Sequence, residues 1–252
     1  MTLAHSARAW ARSRLGLDVQ RYPRSDPLHG LSLLLRHLAV DLVADVGAND
    51  GGYARALRRL GYTGQIVSFE PLAGPFARLS AEAAHDGAWD VQRCAIGDRR
   101  GEIVVHVAGN AGASSSVLPM LDAHLAAAPG AAYIDDETVP LHRLDEVLPS
   151  LHPVAGRRCF LKMDVQGFES AVLDGAAGLL AGGSVLGVQA EMSLVPLYEG
   201  AMLWRETVDR MAGEGFGLAS LIPGFSDPAS GRLLQADGVF VRPGLLADEP
   251  GP

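Results

Sequence analysis

The run Val43-Ala44-Asp45-Val46-Gly47-Ala48-Asn49-Asp50-Gly51-Gly52-Tyr53 constrains the fold more than any other segment of this chain. Apolar positions give way to glycines and small polar groups, which reads as a short buried strand breaking into a turn that opens a helix. Glycine lets a ligand approach the backbone closely. The helix that follows presents unpaired N–H groups and the positive end of its dipole. Downstream, Ser68-Phe69-Glu70-Pro71 closes a second apolar run with a carboxylate. An acid about twenty residues on, at the tip of the next strand, is where nucleoside-binding α/β folds grip ribose hydroxyls. The pattern implies a nucleoside-type cofactor; a strand–turn–helix junction without a ligand is the plainer alternative.

A dinucleotide fingerprint needs Gly-x-Gly-x-x-Gly, with its second glycine making room for pyrophosphate. Here Gly47 is followed by Ala48-Asn49-Asp50, and both Asp45 and Asp50 are acidic. Carboxylates beside a pyrophosphate repel it, whereas they suit the sulfonium and ammonium of S-adenosylmethionine.

With 252 residues and 48% hydrophobic content, the chain suits one α/β domain with a substantial core. No apolar run reaches membrane-spanning length: Leu31 to Val40 is interrupted by Arg36 and His37. The N-terminus lacks the apolar core of a secretory signal, so a cytoplasmic protein is the default expectation. The two cysteines, Cys94 and Cys159, lie in apolar strand-like contexts and form neither a disulfide framework nor a metal site. A net charge of −8, from 29 acidic and 21 basic residues, argues against nucleic-acid binding. Local basic groups remain at Arg8, Arg12, Arg14, Arg21 and Arg24. They are read as a solvated face, with an acidic partner or phosphate-bearing substrate as the alternative. Arg55, Arg58 and Arg59 fit the solvent side of a helix.

Residues 1–39 read as an N-terminal helical extension of two helices broken at 22–27, and residues 40–252 as the main domain. Strands are expected at Asp41–Val46, Gln65–Glu70 and Trp89–Ile96, with helices at Gly52–Leu60 and Pro75–His85 between them. That alternation gives right-handed crossovers and a parallel sheet. Gly101–Val107 is read as a further strand, in a hairpin with the preceding one. The Gly- and Ser-rich region 108–135 is read as a long functional loop. Strands follow at Arg158–Asp164 and Ser184–Glu191, and Gly217–Ile222 with Gly238–Arg242 completes the sheet antiparallel at one edge. Asp45, Glu70, Asp164 and Glu191 all fall at strand C-termini, where open α/β sheets bind ligands.

Four motifs occur in order: Asp45-Val46-Gly47-Ala48-Asn49-Asp50-Gly51, Ser68-Phe69-Glu70-Pro71, Cys94-Ala95-Ile96-Gly97-Asp98 and Leu161-Lys162-Met163-Asp164-Val165-Gln166-Gly167-Phe168-Glu169. Together with Ser114-Ser115-Ser116, Leu144-Asp145 and Pro196-Leu197-Tyr198, they resemble the FkbM-type family of S-adenosylmethionine-dependent methyltransferases over residues 40–242. The resemblance implies a class I methyltransferase fold: a Rossmann-like, mostly parallel seven-stranded sheet flanked by helices, with an antiparallel edge strand. It implies methyl transfer to a hydroxyl of a small molecule, a sugar or polyketide-type natural product. By that similarity Asp45, Gly47 and Asn49 surround the methionine part of the cofactor. Glu70 holds the ribose, Cys94 and Ala95 lie along the adenine, Asp164 sits beside the donor where the acceptor enters, and Ala48, Tyr53, Pro71, Ser115, Val165 and Gln166 complete the cofactor site.

Methyl transfer is an in-line displacement, so the protein aligns the nucleophile and excludes water. An alcohol needs help losing its proton, and Asp164, His142 and Glu191 are the candidates. His142 has the better intrinsic pKa but precedes a helix start, where a capping role competes. Asp164 orients acceptor or cofactor, with helix capping as its alternative. Glu191 is a substrate contact, a metal ligand or a solvated strand end. Mg²⁺ shared by Asp164 and Glu191 is the lesser reading. Lys162 crosses to the other sheet face and forms a salt bridge there. The acceptor pocket is expected from loop 109–136, Ser193–Trp204 and Pro223–Gly231, with Trp204, Tyr198 and Phe225 stacking on the acceptor or packing under the loops. Rival functions are N- or C-methylation, a nicotinamide-dependent oxidoreductase and a catalytically idle cofactor-binding or assembly module. A homo-oligomer is compatible with the chain.

Overall fold

The computed structural model describes residues 26–246, together with Trp10, residues 13–16 and Pro23. Helix α1 (His29–His37) leads into β1 (Leu42–Val46), α2 (Gly52–Arg59), β2 (Gln65–Phe69), α3 (Ala73–Ala83) and β3 (Trp89–Gln92). Then come β4 (Ala95–Ile96), β5 (Gly101–Ala108), α4 (Asp122–Ala127), a 3-10 turn at Pro129–Ala131 and β6 (Tyr133–His142). The second half runs α5 (Leu144–Leu151), β7 (Cys159–Met163), α6 (Glu169–Gly175), α7 (Ala177–Ala181), β8 (Val185–Ser193), α8 (Trp204–Gly213), β9 (Gly217–Pro223) and β10 (Gln235–Val241).

Seven strands form one sheet in the order β3-β2-β1-β7-β8-β10-β9. The first five are parallel, and β10 runs antiparallel to both β8 and β9, one place inside the edge. β1 and β7 are buried at every position, as parallel strands covered on both faces must be. Alternate residues feed two cores. Leu42, Ala44, Val46, Leu161 and Met163 pack with Leu144, Leu148, Val172 and Leu173 of α5 and α6. Val43, Ile66, Phe160, Val239 and Val241 pack with Leu31 and Leu35 of α1, Leu57 of α2 and Leu79 of α3.

Three expectations from the sequence need correction. The run Trp89–Ile96 is not one strand: Arg93 turns the chain outward, bonding the Pro71 carbonyl and Glu137, so β3 ends in the main sheet and β4 joins another. That second sheet has the order β4-β6-β5, so β5 pairs antiparallel with β6 and not with the strand before it. The ten-residue β6 offers two edges, with Leu141 between Ala95 and Gly101. Arg58 is not merely solvated, because it binds Asp86 and the carbonyls of Tyr62, Gly64 and Ala88. The long region 108–135 contains α4, the 3-10 turn and the start of β6. Of the expected N-terminal helices the second is α1, and most of the first, with Arg8, Arg12, Arg21 and Arg24, lies outside the described residues.

Candidate active site

β1 and β7 are neighbours, with β2 and β3 on one side and β8 on the other. A crevice therefore opens over their carboxyl ends, at the point where the strand order reverses. Gly47 makes this junction possible. Its φ is +77°, and a Cβ there would stand 1.9 Å from the Asp164 carbonyl oxygen. The two strand ends thus meet backbone to backbone, and the Asp164 N–H donates to the Val46 carbonyl at 3.1 Å.

Two cavities adjoin this junction and share Gly47, Asn49, Ala113 and Asp164. The narrower, about 180 Å³, has apolar walls from Phe69, Leu72, Ile96, Val105, Val117 and Phe168. Glu70 stands in it at 5% exposure. Its carboxylate accepts the Asn49 N–H at 2.8 Å and the Leu72 N–H at 2.9 Å. Burial pushes its carboxyl up to about 7 despite those two donors. Pro71, Cys94, Ala95, Ser115, Val165 and Gln166 also line this cavity.

The wider cavity, about 450 Å³, is faced by the polar side chains of Tyr53, Asn110, Lys162, Asp164, Gln189 and Asp237. Lys162 and Gln189 belong to a row of side chains in register across four strands, Ser68, Asp45, Lys162 and Gln189, of which Ser68 and Asp45 are fully buried beyond the cavity. Trp89 Nε1 donates to Ser68 Oγ at 2.9 Å, and Ser68 Oγ donates to Asp45 Oδ2 at 3.1 Å. Lys162 Nζ lies 3.1 Å from Asp45 Oδ1 and donates to the Gly47 carbonyl at 2.8 Å. The Tyr53 hydroxyl donates to Gln189 Oε1 at 3.1 Å. Asp237 stands beside this row, its carboxyl pushed up to about 6 by burial and by Asp164.

Gln166, with φ +53°, ties the acids together. Its amide nitrogen donates to Asp164 Oδ1 at 2.8 Å and to Glu191 Oε2 at 2.7 Å, while its oxygen accepts from the Tyr198 hydroxyl at 2.7 Å. Gln235 donates a further bond to Glu191 at 2.7 Å. Burial, then Asp164, Glu169 and Asp237, push the Glu191 carboxyl well above the usual carboxylate range. Glu169 pins the intervening loop by accepting the Val165 N–H at 3.0 Å, and burial lifts its carboxyl to about 7.

Most of the residues singled out in the sequence meet here. Asp45 is an exception: it lines neither cavity, being fully buried below Gly47 and paired with Lys162. Asp50 caps its own helix through the Gly52 N–H and pairs with Arg55. His142 lines neither cavity either; it ends β6 in the second sheet, where its carbonyl accepts the Gly97 N–H. Glu191 reaches the site only through Gln166. The aromatic platform is also absent from both cavities. Tyr198 and Phe225 pack on His124, and Trp204 stacks with Arg205 at 39% exposure. Loop 109–117 does contribute, through Asn110, Ala111, Gly112, Ala113, Ser115 and Ser116. Asp237 and Gln189 were missed. The signal was an acid and an amide inside apolar runs, at Ala236-Asp237-Gly238 and Val188-Gln189-Ala190.

The Mg²⁺ reading does not fit the donor set. Asp164 and Glu191 face the two hydrogens of one amide group, and among the described residues no cluster of three or more His, Cys, Asp or Glu is placed to hold a metal ion. Among the described residues no helix is long and apolar enough to cross a membrane.

The sequence model of the methyltransferase FkbM domain matches residues 45–218, from the buried Asp45 through to β9. The chain belongs to the FkbM methyltransferase family. A solved FkbM methyltransferase from Methylobacillus flagellatus is 12% identical, with a TM-score of 0.50 over 79% of this chain. The present chain spans 43% of that protein's length. Fibrillarin from Aeropyrum pernix, crystallised with natively bound S-adenosylmethionine, gives 14% identity and a TM-score of 0.46 over 80% of this chain and 66% of its own. Magnesium protoporphyrin IX methyltransferase from Synechocystis gives 10% identity and 0.47 over 96% and 98%. No curated protein matches the sequence. The strand order with its inserted antiparallel β10 is the class I methyltransferase sheet, so the FkbM domain carries the expected fold.

Proposed function

We propose that this FkbM domain is an S-adenosylmethionine-dependent O-methyltransferase acting on a hydroxyl of a small molecule, a sugar or polyketide-type natural product. Residues 1–39 are proposed as an extension to it. One observation carries the reading: the buried Glu70, bonded by two backbone N–H groups at the rim of an apolar cavity that also reaches Asp164. A carboxylate held against burial has free lone pairs facing the cavity, which suit ribose hydroxyls. Ile96 and Phe168 supply apolar walls of the kind adenine needs, beside Cys94 and Ala95. Gly47, Asn49 and Asp164, shared by both cavities, stand where the methionine end would lie.

When bound, S-adenosylmethionine supplies a methyl carbon activated by its positive sulfur. The chain's task is alignment and proton management. Asp164, with one oxygen held by Gln166, presents its other oxygen toward the wider cavity, where it accepts the hydrogen of an acceptor hydroxyl. Gln166 fixes that orientation, and Tyr198 fixes Gln166. Lys162, paired with Asp45, also lies 3.8 Å from Asp164 Oδ2.

Calorimetry with S-adenosylmethionine, S-adenosylhomocysteine and NAD tests the reading. Micromolar binding of the first two and none of NAD is expected; selective NAD binding would overturn it. Acceptor screening with labelled donor then provides a substrate with which Asp164→Ala should abolish turnover. Full activity in that variant would show that Asp164 does not receive the acceptor's proton.

A further inference from the structure

Two of the sequence motifs, Ser114-Ser115-Ser116 and Pro196-Leu197-Tyr198, meet behind the acids at Gln166. The Leu121 N–H donates to the Leu197 carbonyl at 2.9 Å, the Glu199 N–H donates to the Pro119 carbonyl at 2.9 Å, and Met120 forms a backbone bridge with Tyr198. Tyr198 is 1% exposed, with its ring edge-on to His124. Its hydroxyl lies 2.7 Å from Gln166 Oε1 and 3.2 Å from the Ser114 carbonyl oxygen. Ser116 Oγ donates to the Gln166 backbone carbonyl at 2.7 Å. The same serine loop walls the narrower cavity through Gly112, Ala113, Ser115 and Ser116.

The way the Gln166 amide is turned decides what it does for the acids. With nitrogen toward them, its N–H bonds reach both Asp164 and Glu191. With oxygen toward them, acceptor would meet acceptor and Asp164 would lose its tether. The first orientation leaves Oε1 needing a donor in a buried place, where an unpaired amide oxygen is strongly disfavoured. Among the described residues the Tyr198 hydroxyl is the donor to Oε1. Ser116 is no substitute, because its proton goes to the Gln166 backbone and its oxygen accepts the Leu118 N–H.

We propose that Tyr198 is a positioning residue for methyl transfer: by holding Gln166 Oε1 it keeps the amide nitrogen on Asp164, and it ties that setting to the serine loop that walls the donor cavity. Tyr198 lines neither cavity, so it touches neither donor nor acceptor. It acts through Gln166, whose tether on one Asp164 oxygen leaves the other aimed where donor and acceptor meet. Removing the hydroxyl frees the amide to turn, and Asp164 then samples orientations in which that oxygen points away. A core tyrosine whose hydroxyl is merely satisfied would matter for folding alone. This inference rests on the methyltransferase reading and deepens it.

The test is calorimetry on the full chain near neutral pH, comparing S-adenosylhomocysteine with sinefungin, in which a carbon bearing a protonated amine replaces the methyl-bearing sulfur. That ammonium stands where the transferred methyl group would, so it reports where the free Asp164 oxygen points. The parent chain should bind sinefungin about tenfold more tightly than S-adenosylhomocysteine, and Asp164→Asn should abolish that preference. Tyr198→Phe, which keeps the ring on His124, should cut it to about twofold or less. Gln166→Asn tolerates the left-handed backbone but is too short to join Asp164 to Tyr198, and it should lose the preference equally. Thermal melts establish which variants are folded, and either one serves. An equal loss of affinity for both ligands leaves the preference intact and marks a merely structural role. That result, or no preference in the parent chain, overturns the proposal. If S-adenosylhomocysteine does not bind the parent chain at all, the methyltransferase reading has failed first, which keeps the two failures distinct.

Discussion

Glu70→Gln separates a functional carboxylate from a structural one. In the folded chain burial lifts Glu70 from its ordinary 4.5 to about 7. Between those values the unfolded chain has lost a proton that the folded chain keeps, so raising the pH favours unfolding. By pH 8 the ionised Glu70 costs the fold about 3 kcal/mol relative to pH 4. Glutamine cannot ionise and escapes that cost. It brings a fixed cost instead, because one of the two donors, Asn49 N–H or Leu72 N–H, then meets an amide N–H₂ rather than an oxygen. That mismatch costs about 1–3 kcal/mol at any pH. Urea denaturation at pH 5, 6, 7 and 8 should show the variant less stable than the parent at pH 5 and level with it or better at pH 8. The same change removes a charged partner of the ribose hydroxyls, so calorimetry at pH 8 should show S-adenosylhomocysteine binding weakened roughly tenfold to a hundredfold. A stability difference that stays flat with pH refutes the charge-against-burial argument. Unchanged cofactor affinity refutes the ribose role.

Two other substitutions probe the junction beneath the site. Gly47→Ala places a methyl group 1.9 Å from the Asp164 carbonyl at a left-handed φ, so the strand ends must part; a loss of about 2–4 kcal/mol in urea denaturation is expected, with cofactor binding lost as well. Lys162→Met leaves Asp45 fully buried without its cation. A loss of about 3–5 kcal/mol should follow, partly recovered in Asp45→Asn/Lys162→Met, and full stability of the single variant would show the pair to be dispensable.

The parallel sheet was legible because its signals are local. Buried strands at Leu42–Val46 and Cys159–Met163 read as short apolar runs, each interrupted once near its end by a charged residue, Asp45 and Lys162. Gly47 and Glu70 were legible for the same reason, since a turn and a strand tip are defined by a few neighbouring residues. Asp164 and Glu191 were found as strand ends, but not the amide of Gln166 that joins them.

What the sequence determined by itself is the family, the alternation of strands and helices, and the rim on which the acids gather. Only the tertiary structure decided which acids face a ligand. Asp45 and Lys162 stand side by side in neighbouring strands, yet 117 positions apart along the chain, and their pairing withdraws Asp45 from the cavity. Asp237 enters because the antiparallel β10 slots between β8 and β9, which no local pattern announces. Periodicity reports which side of an element is apolar. Charge neutralisation and access depend on which strands become neighbours, and that is set by the packing of the whole sheet.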